Sequence, residues 1–344
     1  MDAKVLVTDI VVPLVFNKYF LERTAEKSRL IRSGIVLPDA ELDRLAMGGG
    51  KFIDMPFYTD LSGDDQVLDD EAALTTHNIS TAQDLARLHL RGDARSVNDL
   101  SGALSGTDPL AIIVDLIAEF WARKEQALLI ATLGGVFADN LLATSGDTGG
   151  DGDLIHNHAA EATADIKPWN DANPTVMCPE AIIDGQSLLG DSTNAFTAIM
   201  MHSKCLTDLK KQELIDTERP SGAGSEIYYY MDKEVVIDDT CPTRNGTGAG
   251  PPTIYQSFLF AKGAIGRGEG LAPVPSEFER NALYSDTYFV TRRHFILHPR
   301  GFKWIEAGNS FDTQAPSNAE VLLAAHWNRV YEKKNIRIAM IETN

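Results

Sequence analysis

The chain has 344 residues, 44% of them hydrophobic and 23% charged, which is ordinary globular material with room for two domains or one large domain with extensions. Its 31 Lys and Arg against 49 Asp and Glu leave a formal charge of −18, which opposes groove-reading or phosphate-tracking recognition of nucleic acid. No apolar run approaches the ~20 residues that cross a bilayer, the first residues lack the apolar core of a signal peptide, and three cysteines without CxxC spacing (Cys178, Cys205, Cys241) argue against a disulfide framework or structural zinc, so a soluble chain with buried, reduced thiols is expected.

Val5 to Val15 reads as an extended apolar piece broken at Pro13, and Phe16 to Ile31 as a charged helix that buries little within itself. Gly48 to Gly50 form a pliable joint. Beyond it, Lys51 to Leu61 reads as a strand that Pro56 confines to a sheet edge, followed by an acidic turn from Gly63 to Asp70 and a second mixed stretch from Leu74 to Arg95. A lone two-stranded hairpin is marginal in water, so something must cover this one. Thr107 or Asp108 can cap the next helix, with Pro109 in its first turn. Leu110, Ile113, Val114, Ile117 and Trp121 recur at spacings of three and four, continue through Leu128 and Leu129, and run toward an expected stop at Gly134 and Gly135. That helix would be a rod of roughly 38 Å, with Ile117 at the centre of its buried stripe.

From Ser145 to Glu180 the chain turns Gly-, Asp-, Asn- and Pro-rich, as in a connection. Asp191 to Leu214 is expected to be helical, Ile227 to Asp238 strand-like, and Thr243 to Pro252 a loop. Tyr255 to Ile265 and Thr287 to Leu297 read as strands, Pro316 to Tyr331 as a short helix, and Asn335 to Glu342 as a closing strand.

No constellation carries convincing chemistry. Asp147, Asp151, Asp153, His156 and His158 make the best metal-like cluster, yet their spacing lacks the EF-hand pattern and no third ligand for the two imidazoles is fixed, so a solvated loop is the better reading. His202 and Cys205 are three apart on the expected helix, without a nucleophile signature around them, and Ser187 and Ser203 lack a hydrolase turn. Gly263, Gly266, Gly268 and Gly270 lack the Lys-Ser or Lys-Thr of a P-loop and read as a tight strand-end loop. Arg292 and Arg293, followed by His294, read as partners of carboxylates. Catalytic, cofactor-binding and metal-binding residues are therefore assigned as none, and the chain is expected to catalyse nothing.

Four runs in fixed order carry a resemblance: LLGDSTNAFTAIMMHSKCLTDLKKQELI at 188–215, DKEVVIDDTCP at 232–242, YQSFLFAKGAIGRGE at 255–269, and EFERNALYSDTYFVTRRHFILHPRGFKW at 277–304. A fifth, LSGALSGTDPLAIIVDLIAEFWARKEQALLIATLGGVFA at 100–138, fits beside them. Together they resemble the major capsid proteins of tailed, double-stranded DNA bacteriophages with the Hong Kong 97-type fold. The resemblance implies an α+β chain with an N-terminal arm (1–47), an extended hairpin loop (48–99), a peripheral domain with a long spine helix (100–180), an axial domain (181–312) and a C-terminal return to the peripheral domain (313–344).

It also implies pentamers and hexamers of self tiling an icosahedral shell around non-specifically held double-stranded DNA. Scaffold, portal and cement proteins become candidate partners, no membrane is involved, and the virion is the final location after assembly in the bacterial cytoplasm. On this reading an acidic inner wall would repel packed phosphates and keep the duplex mobile, the equal alternative being that the charge serves only solubility. The lysine–asparagine cross-link of some members is not expected, because no lysine lies between Phe52 and Leu100. An encapsulin-like compartment with protein cargo, and a soluble metal-dependent enzyme, are the alternatives.

Overall fold

The computed structural model describes residues 35–48, 50–61, 65–66, 76–106, 108–142, 152–171, 174–218, 227–247, 250–306 and 314–344. The expected apolar piece and charged helix before Ile35, most of the acidic hairpin turn, and Asp147 and Asp151 lie outside the described residues.

In chain order the first half holds β1 (Val36–Pro38), α1 (Ala40–Met47), β2 (Phe52–Tyr58), β3 (Thr81–Arg87), β4 (His89–Asn98), α2 (Asp99–Ser105), α3 (Pro109–Leu141), β5 (Ile155–Asn157) and α4 (Pro179–Ser187). The centre holds β6 (Phe196–Met201), α5 (Ser203–Lys211), β7 (Asp216–Glu218), β8 (Ile227–Tyr230), β9 (Lys233–Ile237), β10 (Thr243–Asn245), β11 (Thr253–Ala261) and β12 (Ile265–Gly270). The last part holds β13 (Ser276–Asn281), β14 (Asp286–Pro299), β15 (Phe302–Trp304), α6 (Asn318–Val321), β16 (Trp327–Arg329) and β17 (Ile338–Thr343).

Two sheets share one continuous apolar core with the C-terminal half of α3. In the five-stranded sheet the long β14 is central: β4 pairs along one edge, while β12 and β13 divide the other and β1 extends β12 in parallel. The eight-stranded sheet runs β5-β17-β11-β6-β9-β8-β7, with β10 also on β11. Sheet membership therefore does not follow the chain boundary at 312/313, since β17 pairs with β11 and β5, and β12 to β14 join β1 and β4. β2 and β3 form a separate antiparallel hairpin.

The start of α3 matches the expectation: Asp108 accepts hydrogen bonds from the N–H groups of Leu110 and Ala111, and Pro109 occupies the first turn. Its stop does not. The helix runs through Gly134 and Gly135 to Leu141, 33 residues and about 50 Å. The two glycines are a notch, not an end, because a Cβ on Gly134 would strike Leu322 and one on Gly135 would strike the Val321 carbonyl and the Trp327 indole. The expected helix over Asp191 to Leu214 is also corrected. Its first part is a 3-10 turn and then β6, whose Phe-Thr-Ala-Ile-Met-Met run lies between β11 and β9 and is buried at every residue but Thr197, and only Ser203–Lys211 is α-helical. A six-residue apolar run has the length of a strand buried on both faces, which periodicity alone cannot separate from helix.

The glycine string is corrected in the same way. Gly263, at φ +67°, makes the turn, but Gly266, Gly268 and Gly270 lie inside β12 at every second residue. Helix α1 packs on that bare face, with Leu42 filling the space above Gly266 and Gly268. Within the expected 243–252 loop, residues 243–245 are a strand, and within 316–331 the α-helix covers only Asn318–Val321 before β16. Helix α4 has no counterpart among the expectations.

Candidate intersubunit surfaces

Two parts of the fold carry apolar side chains that are exposed or only half-buried over much of their length. The first is the N-terminal part of α3. From Leu110 to Ala118 the sequence is Leu-Ala-Ile-Ile-Val-Asp-Leu-Ile-Ala, apolar around the whole circumference except for Asp115, yet no residue from 110 to 120 is buried. Val114 is 42% exposed and Ile117 only half-buried, so Ile117 does not lie in the chain's own core as the stripe suggested. A helix apolar on all sides is ordinarily enclosed on all sides. From Trp121 onward the same helix enters the core through Leu128, Leu129, Leu133, Val136 and Phe137.

The second is the hairpin. Its root is fastened: Asp84, buried on β3, accepts from the Gly301 N–H at 3.2 Å and lies 2.8 Å from the buried His298 ring, while Arg87 donates to the Lys51 carbonyl at 3.1 Å. Phe57 meets Tyr331 edge-on at 4.8 Å. Farther out, Tyr58 and Leu61 are 74% and 80% exposed. Next to the root, His89 of β4 is fully enclosed, and burial, helped by Arg91, Arg87 and His298, holds its imidazole down at a pKa of about 3.

The groups considered for chemistry fall elsewhere. Asp153 is ion-paired with Arg329 at 2.8 Å and accepts from Asn140, contacts that hold its carboxyl below the usual range against the opposing effect of its burial. His156 approaches Asp184 at 3.9 Å, and His158 approaches the Cys178 thiol at 3.5 Å with its pKa lowered first by burial. Among the described residues no three His, Cys, Asp or Glu side chains stand where one metal ion could bridge them.

His202 and Cys205 do not meet as base and nucleophile. The ring nitrogen Nδ1 of His202 accepts from the Lys204 N–H and caps α5, while Cys205 is buried beside Thr343 and Ser257 with its thiol pushed up by burial. Ser187 donates to the Asp184 carbonyl. Arg292 pairs with Glu277 at 3.1 Å and Arg293 with Glu269 at 2.6 Å, as expected of carboxylate partners. Arg293 also approaches the buried Glu125 of α3 at 3.6 Å, and Arg267 pairs with the same carboxylate.

One network was not anticipated. Arg244 donates to both Glu342 and Glu161, and its bond to Glu161, with that of the Thr247 N–H, holds Glu161 at a pKa of about 2. It ties β10, β17 and the loop after β5 together, partners 83 and 98 residues apart in sequence.

No protein-family model matches the sequence. The major capsid protein of Bacillus phage SPP1 is 37% identical over 342 residues, spanning 98% of this chain and 97% of that protein. Among solved structures, the capsid asymmetric unit of cyanophage Pam1 matches 100% of this chain and 99% of its own with a TM-score of 0.64 at 13% identity. The mature capsid of bacteriophage PhiM1 gives 0.56 at 9% identity, covering 97% and 92%, and the capsid of Ralstonia phage GP4 gives 0.55 at 10%, covering 96% and 95%.

Proposed function

Since the chain belongs to the family of tailed-phage major capsid proteins, we propose that it builds pentamers and hexamers that close an icosahedral head around double-stranded DNA, and that it does so by geometry alone, without catalysis. The observation that carries this reading is the apolar N-terminal length of α3, which has the composition of an enclosed helix and is not buried at any residue from 110 to 120. Neighbouring copies supply that cover, so each subunit gains part of its stability only in the assembly. The surface is acidic overall, so DNA is held as a mobile coil and not by sequence.

We assign the five-stranded sheet and α3 to the peripheral part of the subunit, the eight-stranded sheet to the axial part, β2 and β3 to the extended loop, and residues 1–34 to the arm. Assembly takes place in the bacterial cytoplasm, with portal, scaffold and cement proteins as candidate partners, and the product is the virion.

Expression of the chain alone followed by electron microscopy tests the reading: closed shells are expected, and uniformly small particles would refute it. Replacing residues 52–94 by a Gly-Ser linker is expected to abolish shells. Because Asp84 and β4 are built into the body, that deletion also disturbs the core, so a cut confined to 59–80 is the cleaner test of the loop. Nucleic acid inside native particles separates a phage head from a compartment with protein cargo.

A further inference from the structure

The five-stranded sheet ends at β4, which pairs with β14 and with no other strand among the described residues. The pairing runs unbroken from His89 opposite Phe295 to Asn98 opposite Asp286. The Asp99 N–H continues the ladder by donating to the Ser285 carbonyl at 2.9 Å, so the odd-numbered residues of β4 bond to β14 and the even-numbered ones turn their N–H and C=O groups outward. The chain closes both ends of that outer edge itself. The Leu88 N–H donates to the Lys51 carbonyl at 3.1 Å, and the Asn98 carbonyl accepts from the Ser101 hydroxyl at 2.6 Å. Between them Leu90, Gly92 and Ala94 are exposed, and among the described residues nothing takes their outward groups. An open edge of this kind is a template for one more strand.

Beside the open stretch a cleft of about 510 Å³ lies between β4 and α3, with Trp121, Leu128 and Phe295 buried in its floor. Its rim is cationic in a chain of charge −18, with Arg91 and Arg95 from β4 and Lys124 from α3. Arg95 is held by Asp93 at 2.7 Å. Arg91 donates to the Pro316 carbonyl and the Asn318 side chain, both at 2.9 Å, and burial pushes its guanidinium down from the usual range against the attraction of Glu320. Lys124 lies over the Phe120 ring at 5.4 Å, and Arg95 over the same ring at 5.0 Å. Neither Arg91 nor Lys124 is ion-paired among the described residues. Two cations without carboxylates thus stand next to unpaired backbone.

We propose that β4 accepts an added strand from another protein, an extended segment along Leu90 to Ala94 that carries acidic side chains on either side of an apolar one. Side chains directly opposite each other in a ladder stand about 5 Å apart. One acid then lies opposite Arg91 and another opposite Arg95, within reach of Lys124. The residue between them falls opposite Asp93, which would repel a third acid, and an apolar side chain there covers the half-buried Phe120 ring. A nucleic-acid backbone would meet the cations but leave the edge groups unused, so a peptide is the better fit. The site needs one folded chain and no shell.

Fluorescence anisotropy of the labelled peptide Thr-Glu-Thr-Val-Thr-Glu-Thr with the full chain tests it. Binding is expected with a Kd below about 1 mM, and it weakens as salt is added. A variant with Arg95→Glu and Lys124→Glu, both exposed positions, is expected to bind this peptide at least about tenfold more weakly and to gain the peptide with lysine in place of both glutamates, which also shows that the variant folds. Gly92→Pro tests the edge, because the N–H it removes has no partner in the described chain and a Cβ there meets only the Thr291 carbonyl at 3.6 Å. Loss of binding with unchanged circular dichroism is expected, and in the wild type the peptide should slow hydrogen exchange at Gly92 and Ala94. Should Gly92→Pro lose its fold, the charge reversal and the exchange rates decide alone. No binding by the wild type, no change of preference on charge reversal, or full binding by folded Gly92→Pro would overturn the proposal. So would slow exchange at Gly92 and Ala94 before any peptide is added, which would give the edge to the chain itself or to a second copy. Binding of a short thymidine oligonucleotide instead of the peptide, lost in the same charge variant, would make this a nucleic-acid surface and overturn it as well.

Discussion

Helix α3 is two regions with one secondary structure. Its N-terminal third is more uniformly apolar than its C-terminal part, which carries Glu125, Gln126, Asp139 and Asn140 among its buried residues, yet it is the latter that the chain encloses. Three of these side chains have named partners in the same chain: Glu125 pairs with Arg267, Gln126 donates to Asp238 and Asn140 donates to Asp153. The difference teaches that local hydrophobicity states how much cover a segment needs, and the tertiary arrangement states who gives it. In the buried part that is the same chain. In the N-terminal part the proposed shell gives that role to a neighbour.

The largest expected effect lies in the enclosed region. Leu133 is 0% exposed, and Leu133→Asp removes its packing while burying a carboxylate without a partner, for a loss of about 5 kcal/mol or more. Insoluble or unfolded chain is expected, read by circular dichroism and soluble yield. A folded variant would mean that the two regions of α3 do not differ as described.

The body also holds an acid-sensitive group that the uncovered rod lacks. His89 has a folded-state pKa near 3 and an ordinary value of 6.5, so between these pH values the unfolded chain binds a proton that the folded chain refuses. The stability this represents is complete above pH 6.5 and falls as pH drops toward 3, at up to about 1.4 kcal/mol per unit. Urea unfolding of unassembled chain between pH 7 and 5 is expected to show that slope, and His89→Phe to flatten it. An equal slope in the variant would assign the acid sensitivity to other groups.

What was legible in the sequence was local. Asp108 and Pro109 announce the start of α3, because a cap and a missing N–H act within one turn. The alternating content of the β14 segment marks a strand. Gly134 and Gly135 misled because their reason is Val321, Leu322 and Trp327, more than 180 residues later in the chain. The β12 glycines did carry a signal: a spacing of two puts three bare positions on one face of a strand, where a helix can lie. The uncovered surface was legible as well, since nine residues with one charge are apolar on every side, not only along the stripe at three and four.

At the junction of the two regions the glycine notch can be filled. Gly135→Ala gains up to about 1 kcal/mol of helix propensity, but its methyl group meets a carbonyl oxygen and an indole that hydrogen-bond each other at 2.8 Å. Overpacking of this kind costs about 1–3 kcal/mol, so a net loss near 1–2 kcal/mol is expected in the unfolding midpoint. A stabilised variant would show that α6 and β16 yield easily and that the notch does not fix the helix.

The smallest effect on the subunit should accompany the largest effect on assembly. Ile117 is half-buried at the middle of the uncovered segment, one turn from Val114 and two residues from Asp115. In a single chain Ile117→Asp keeps its carboxylate in contact with water, so the change is expected to stay within about 1 kcal/mol, mostly from helix propensity and the like-charged neighbour. In a shell the same carboxylate would sit where a neighbour seals the helix, without a partner, at a cost of several kcal/mol at every subunit contact. Thermal unfolding should therefore match the wild type while sedimentation shows no shells. Unfolded chain would return Ile117 to the subunit's own core, and normal shells would mean that the N-terminal part of α3 faces solvent in the assembly despite its composition.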